Sequence, residues 1–215
     1  MSVYETIEVP SNDGIAAFDG YYRDYPTTGR YPFLIGDDED LKSFQQMIAP
    51  PADGGADFIA QAAGLDVQDW FAARGAKKPR ARAKDFPPQT GLATLTDLAT
   101  GGLKPRVHVG LIDIESPEHL FARLGFGDWN DCPAPHVHVA LHRYWQTKYR
   151  SIPVALSADV VECFVPNPPT TTPDILTLAA EQHAYCADIV EQGFGSKAKL
   201  AASLAGANVW YFWWD

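Results

Sequence analysis

The sequence is short of the features that make a chain easy to assign. Among its 215 residues there are only three cysteines, Cys132, Cys163 and Cys186, too few for a dense paired framework. That excludes a small disulfide-built secreted fold and makes reduced thiols the default. No uninterrupted apolar run approaches the roughly 20 residues needed to cross a bilayer. The opening MSVYETIEVPSNDG carries Glu5 and Glu8 where a secretory signal needs positive charge and then apolar residues. The expected location is therefore cytoplasmic, with no membrane contact. Neither a Gly-x-x-x-x-Gly-Lys loop nor a Gly-x-Gly-x-x-Gly fingerprint occurs, so nothing supports a nucleotide site and no cofactor is expected. No repeat at solenoid spacing is visible, which leaves a compact fold.

Positive charge is scarce as well: 17 Lys and Arg stand against 27 Asp and Glu, a net charge of −10. Residues 1–74 hold 13 acidic and 4 basic side chains, whereas residues 75–215 hold 14 and 13. A surface of that sign repels phosphate backbones and speeds the capture of cations. The expected partner is a basic protein rather than nucleic acid; the oligomeric state is left open. The basic stretch AKKPRARAK, with Lys77, Lys78, Arg80, Arg82 and Lys84, lacks interleaved aromatics. It reads as a solvated linker, with an arm for an anionic surface as the alternative.

What the chain does hold is apolar. Hydrophobic residues make up 46% and aromatics 12%, enough for a sizeable core, while 20% charged residues is too few for a disordered chain. RYPFLIGDDEDLKSFQQMIAP reads as a short strand at Phe33–Ile35 followed by a helix opening on Asp37–Asp40, where carboxylates complement free amides. A cation site built from Asp37, Asp38 and Asp40 is the alternative. Two helices are expected at 57–63 and 67–74. VHVGLIDIES alternates as a strand, and Ser116-Pro117 opens a helix to about Leu124. GFGDWNDCPAP is a loop. HVHVALHRYWQTKY is a helix with Val137, Leu141 and Tyr144 on one face, IPVALSADVVECFVP a strand pair, and Thr172-Pro173 the start of a long helix. A last helix stops at Gly206. The ending VWYFWWD is then a closing strand, with Trp210, Phe212 and Trp214 on one side and Tyr211 and Trp213 on the other. The fold class is α+β: a small mixed sheet covered by helices and closed by the C-terminal aromatic strand. Three segments follow: an acidic α/β part at 1–75, a basic and Pro/Gly-containing linker at 76–106, and an α+β domain at 107–215.

GFGDWNDCPAP, HRYW, PPTTTPDILTLAAEQHAYCADIV and the terminal WYFWWD together resemble the bacterial family named domain of unknown function 4253. The resemblance spans roughly residues 107–215. It implies a soluble bacterial protein whose C-terminal half is the recognised domain, and it brings no catalytic residue with it.

Chemistry must therefore be sought residue by residue. Cys132, His136 and His138 with His183 and Cys186 could offer zinc four thiolate and imidazole ligands, but the spacing matches no standard knuckle, and no metal is expected. His138 and His142 stand four apart as in zinc proteases, yet Val139 occupies the place of the catalytic glutamate. A nucleophile reading takes Cys132 or Cys186 with a histidine base and Asp131 or Asp188 to orient it. Trp129, Asn130 and Asp131 form a polar aromatic loop suited to recognition. The leading expectation is a non-catalytic binding protein, of the toxin-neutralising or immunity type, with an acidic surface. The alternative is a small-molecule hydrolase with Asp131, Cys132, His136 and His183 in one pocket.

Overall fold

The computed structural model describes residues 3–84 and 86–215. Six strands form one sheet: β1 (Tyr4–Pro10), β2 (Arg30–Gly36), β3 (Arg106–Asp113), β4 (Ile152–Leu156), β5 (Val160–Phe164) and β6 (Val209–Trp213). Their spatial order is β1-β3-β2-β4-β5-β6. Every neighbouring pair is antiparallel except β2 and β4, which run parallel and meet at a single bridge, Leu34 to Ala155. Pro32 and Pro153 lie in these two strands and have no amide to donate, so a full ladder between them cannot form. The Tyr31 hydroxyl spans the gap instead and donates to the Pro153 carbonyl at 2.5 Å. The sheet is thus two antiparallel halves joined at a narrow parallel seam. Strands β1 and β2 from the acidic first third share this sheet with β3 to β6.

Two apolar clusters cover the faces. On one face lie α2 (Asp38–Met47), α5 (His119–Leu124), α6 (Pro135–Tyr149) and α7 (Thr172–Tyr185), with α3 (Ala56–Ala63) and α4 (Val67–Ala73) against α6. On the other, α1 (Gly14–Thr28) sends Phe18 onto Leu34, Val107, Val109 and Val154 beside Leu92 and Leu95. A π-helical turn at Ile189–Phe194 leads into α8 (Lys197–Leu204). Gly110 is needed for close packing, because a Cβ there would strike the Phe33 ring.

Strand β1 and helix α1 have no counterpart in the sequence reading, and the cap of α7 is Thr171 rather than Thr172, its side chain accepting from the Asp174 amide. The aromatic ending is an edge strand paired only with β5. Trp210, Phe212 and Trp214 are buried, and Phe212 stacks on Trp145 with ring centroids 5.7 Å apart. Tyr211 and Trp213 are half-buried on the opposite face. Phe212→Ala should therefore cost about 3–5 kcal/mol in a urea titration. Trp213→Ala should cost only about 1–2 kcal/mol, from partial burial and one hydrogen bond. Equal losses would mean that both faces of the strand are covered.

Candidate functional site

The residues singled out in the sequence do not converge. Cys132 is 4% exposed, and its sulfur lies 3.4 Å from His138 Nε2 rather than beside His136 or His183. Burial pushes its thiol pKa far up, so it stays protonated and a poor nucleophile. Asp131 is exposed on the loop, and His136 is half-buried at the start of α6. His183 faces Glu191 at 3.9 Å. Cys186 donates its thiol to the Trp213 carbonyl, and burial lifts its pKa to about 12. Among the described residues Cys132, His136, His138, His183 and Cys186 form no group with metal-ligand spacing. In the loop of Trp129, Asn130 and Asp131, Trp129 folds back edge-on to Phe126 at 4.9 Å, while the Asn130 amide donates to the Asp215 carbonyl at 2.8 Å. Asp128 and Asn130 take positive φ, 70° and 45°, to make that turn.

The histidines that α6 does bring together build a closed core network. His138 Nδ1 lies 2.6 Å and His142 Nε2 2.9 Å from the Tyr185 hydroxyl of α7, and His142 Nδ1 faces the Cys163 sulfur at 3.8 Å. The phenol has one proton to donate, so it can donate to one imidazole while toward the other its oxygen accepts. On its outer edge His138 Nε2 meets the Cys132 sulfur at 3.4 Å. The Cys132 and Cys163 thiols thus flank the two outer ring nitrogens. Burial drives His142 down to about pKa 3 and His138 well below the usual imidazole range. Sealed in this way, the network is structural.

That sealing sets a sign for stability against pH. Unfolded imidazoles protonate near pH 6.5, whereas these two stay neutral in the fold, so the stability they confer is complete above that pH. It is lost as pH falls toward the folded value of about 3 for His142. Each contributes up to about 1.4 kcal/mol per pH unit. Burial lowers His119, His136 and His183 in the same direction. Urea titrations should show roughly 2–3 kcal/mol less stability at about pH 5.5 than at about pH 7.5. Unchanged stability across that interval would show that protons reach the imidazoles in the folded protein.

The open chemistry lies elsewhere, at the carboxyl ends of the parallel pair β2 and β4, where open α/β sheets commonly bind ligands. A cleft of about 500 Å³ opens there. Strand β2 ends at Gly36, whose φ of 102° lets the chain turn without a Cβ striking the Asp40 carboxylate. Asp37 then caps α2, accepting from the amides of Glu39 at 3.0 Å and Asp40 at 3.2 Å, and Asp40 accepts from the Asp37 amide at 3.0 Å. The expected capping role of the acidic run is therefore real for these two carboxylates. Lys104 pairs with Asp40 and, at 3.3 Å, with Asp37.

The opposite walls are a small hairpin and the terminal strand. Thr96 bridges to Leu103, and Asp97 accepts from the amides of Ala99 at 2.8 Å and Thr100 at 3.3 Å. Asp159, in the β4–β5 turn, takes the Trp213 indole proton at 3.1 Å, which aligns that ring beside a carboxylate. Tyr211 completes the aromatic side. Beneath them Glu162, fully buried, accepts from the Ala93 amide at 2.7 Å and the Thr94 amide at 2.9 Å and pins the hairpin to β5. Burial raises the Glu162 pKa. Burial also works against Asp37, but the Asp40 amide and Lys104 hold it below the usual carboxylate value; backbone amides do the same for Asp97. Five carboxylates, Asp37, Glu39, Asp40, Asp97 and Asp159, thus face one ammonium across two aromatic rings. Such a cleft suits a cation, since its field is negative and its rings offer π faces.

Sequence reasoning missed Asp97, Lys104 and Asp159, which are separated along the chain and meet only through the fold. The alternation of VWYFWWD was the available signal for Tyr211 and Trp213. In comparison with known proteins, a family described as Domain of unknown function (DUF4253) matches residues 108–215. No curated protein and no solved structure matches the chain. The match takes in Ser157, Asp159, Tyr211 and Trp213 but not Asp37, Glu39, Asp40, Asp97 or Lys104, so the cleft is assembled across its boundary.

Proposed function

Because the chain belongs to the DUF4253 family, a description that assigns no activity, we propose from its own geometry that it is a non-catalytic binding protein whose cleft seats a cationic side chain of a basic protein partner, in the manner of a toxin-neutralising or immunity protein. The supporting observation is the convergence of Asp37, Glu39, Asp40, Asp97 and Asp159 with Tyr211 and Trp213 around one opening. An arginine suits it best. A guanidinium is less strongly hydrated than an ammonium, stacks on aromatic faces and forks onto carboxylates. The net charge of −10 adds long-range steering toward such a partner and away from nucleic acid. We place the protein in the bacterial cytoplasm on the strength of three free cysteines. Among the described residues no helix is long and apolar enough to cross a membrane. The hydrolase alternative draws less support, since the Cys132 thiol meets His138 in the core and burial keeps it protonated.

The reading is tested with an arginine-rich peptide and a glutamate-substituted counterpart. The protein should bind the first and not the second, with affinity falling steeply between about 0.05 and 0.3 M salt. Glu39→Gln together with Asp159→Asn removes two charges while sparing the capping box and keeping an acceptor for Trp213. This pair should weaken peptide binding on the order of tenfold, about 1.4 kcal/mol, with an unchanged melting temperature. Equal binding of the two peptides, or full affinity in the double variant, would remove the cleft as the site.

A further inference from the structure

Outside the cleft, one set of side chains has the composition and spacing of a metal site. His108 lies in β3 between two neighbours in register, Glu8 of β1 on one side and Gly36 of β2 on the other. Directly opposed residues on paired strands share a face, which sets the Glu8 carboxylate beside the imidazole. The turn that Gly36 permits carries the chain over His108 into α2 and places Asp38 above the ring. His108 Nε2 is 2.7 Å from Asp38 Oδ1, and ligand atoms of Glu8, Asp38 and His108 all lie within 4.8 Å of one another.

We propose that Glu8, Asp38 and His108 form a binding site for a divalent transition metal such as Zn²⁺, with water completing the coordination. The donor set of one imidazole and two carboxylates is chemically suited to such an ion. The His108 side chain is only 11% exposed and is held by strand and helix, while the Asp38 side chain is 87% exposed, so an ion can enter from solvent. In the metal-free protein the hydrogen bond between His108 and Asp38 holds two of the donors together. The ion takes the Nε2 lone pair of the neutral imidazole, whose hydrogen then sits on Nδ1, and Asp38 and Glu8 close on it. Arg106 pairs with Glu8 and competes for it, and the positive end of α2 opposes the ion, so binding is of moderate strength. The site joins β1 and α2, both outside the family match, to His108, the first residue within it.

The test is calorimetric titration of Zn²⁺ into the chelator-treated full-length chain. One equivalent should bind, with a dissociation constant on the order of 1–10 µM, and raise the melting temperature. Asp38→Asn and Glu8→Gln alter exposed or half-exposed groups and leave the core intact; each should weaken binding on the order of tenfold or more. Cys132→Ala should leave it unchanged. The proposal is overturned by a lack of saturable binding up to about 1 mM Zn²⁺, or by Asp38→Asn and Glu8→Gln proteins that bind as tightly as the parent.

Discussion

The arrangement of this protein depends on how one hydroxyl proton is shared. Tyr185 of α7 stands between His138 and His142, one turn apart on α6, and only one register of the two helices satisfies all three groups. Sliding α7 by a turn would strand two ring nitrogens and a phenol in a medium that cannot solvate them, at a cost of about 1–3 kcal/mol for each. The same Tyr185 ring packs edge-on against Phe212 at 4.8 Å and Trp214 at 5.2 Å. The network therefore fixes the helix pair and, through it, the buried side of β6. Because a strand alternates, fixing that side also fixes where Tyr211 and Trp213 point, which is into the cleft.

The cleft exists because the sheet is weakly joined where it forms. A complete parallel ladder between β2 and β4 would have drawn their ends together, but the two prolines reduce the seam to one bridge. The chain leaves β2 into the Asp37–Asp40 capping box and leaves β4 into a tight turn in which the Ser157 amide donates to the Val160 carbonyl. Asp37 and Asp40 accept amides in the capping box and Asp97 does so in the hairpin, so the bonds that shape these turns also orient the carboxylates, and for Asp37 and Asp97 they lower the pKa. The acidic field is a consequence of how these turns are made. Lys104 balances only part of it.

Much of this was legible in the sequence, for identifiable reasons. Long helices with strong caps, the alternating strands from β3 onward and the two-sided aromatic ending announce themselves through local periodicity. Strand β1 did not, because YETIEVP interleaves charge on an edge that faces solvent, and α1 did not, because Gly14, Gly20 and Pro26 break its pattern. The cysteines and histidines offered metal and nucleophile readings by residue type alone, whereas in the fold Cys132, Cys163, Cys186, His138 and His142 are buried, and burial disfavours their charged forms. His142, set aside in the sequence because Val139 lacked the chemistry of a zinc protease, proved central to packing. Asp97, Lys104 and Asp159 carry no local signature at all, since a cleft wall contributed by two turns and an edge strand is a property of topology.

The acidic run Asp37–Asp40 shows how a short sequence can serve two surfaces. Successive residues in a helical turn project about 100° apart, given 3.6 residues per turn. Asp37 and Asp40, three apart, fall together over the cleft and Lys104, while Asp38 is thrown to the far side over His108. The positive end of the helix dipole eases the like-charge repulsion within the run. Four consecutive carboxyl groups can then coexist, and the two outward directions remain chemically distinct. One looks onto aromatic rings and a lysine, the other onto an imidazole and a second carboxylate. The first is matched to a delocalised organic cation that stacks, and the second to a compact ion that takes directed lone pairs. Neither surface needs the other to be occupied, because the backbone hydrogen bonds of a single capping box already hold both in place.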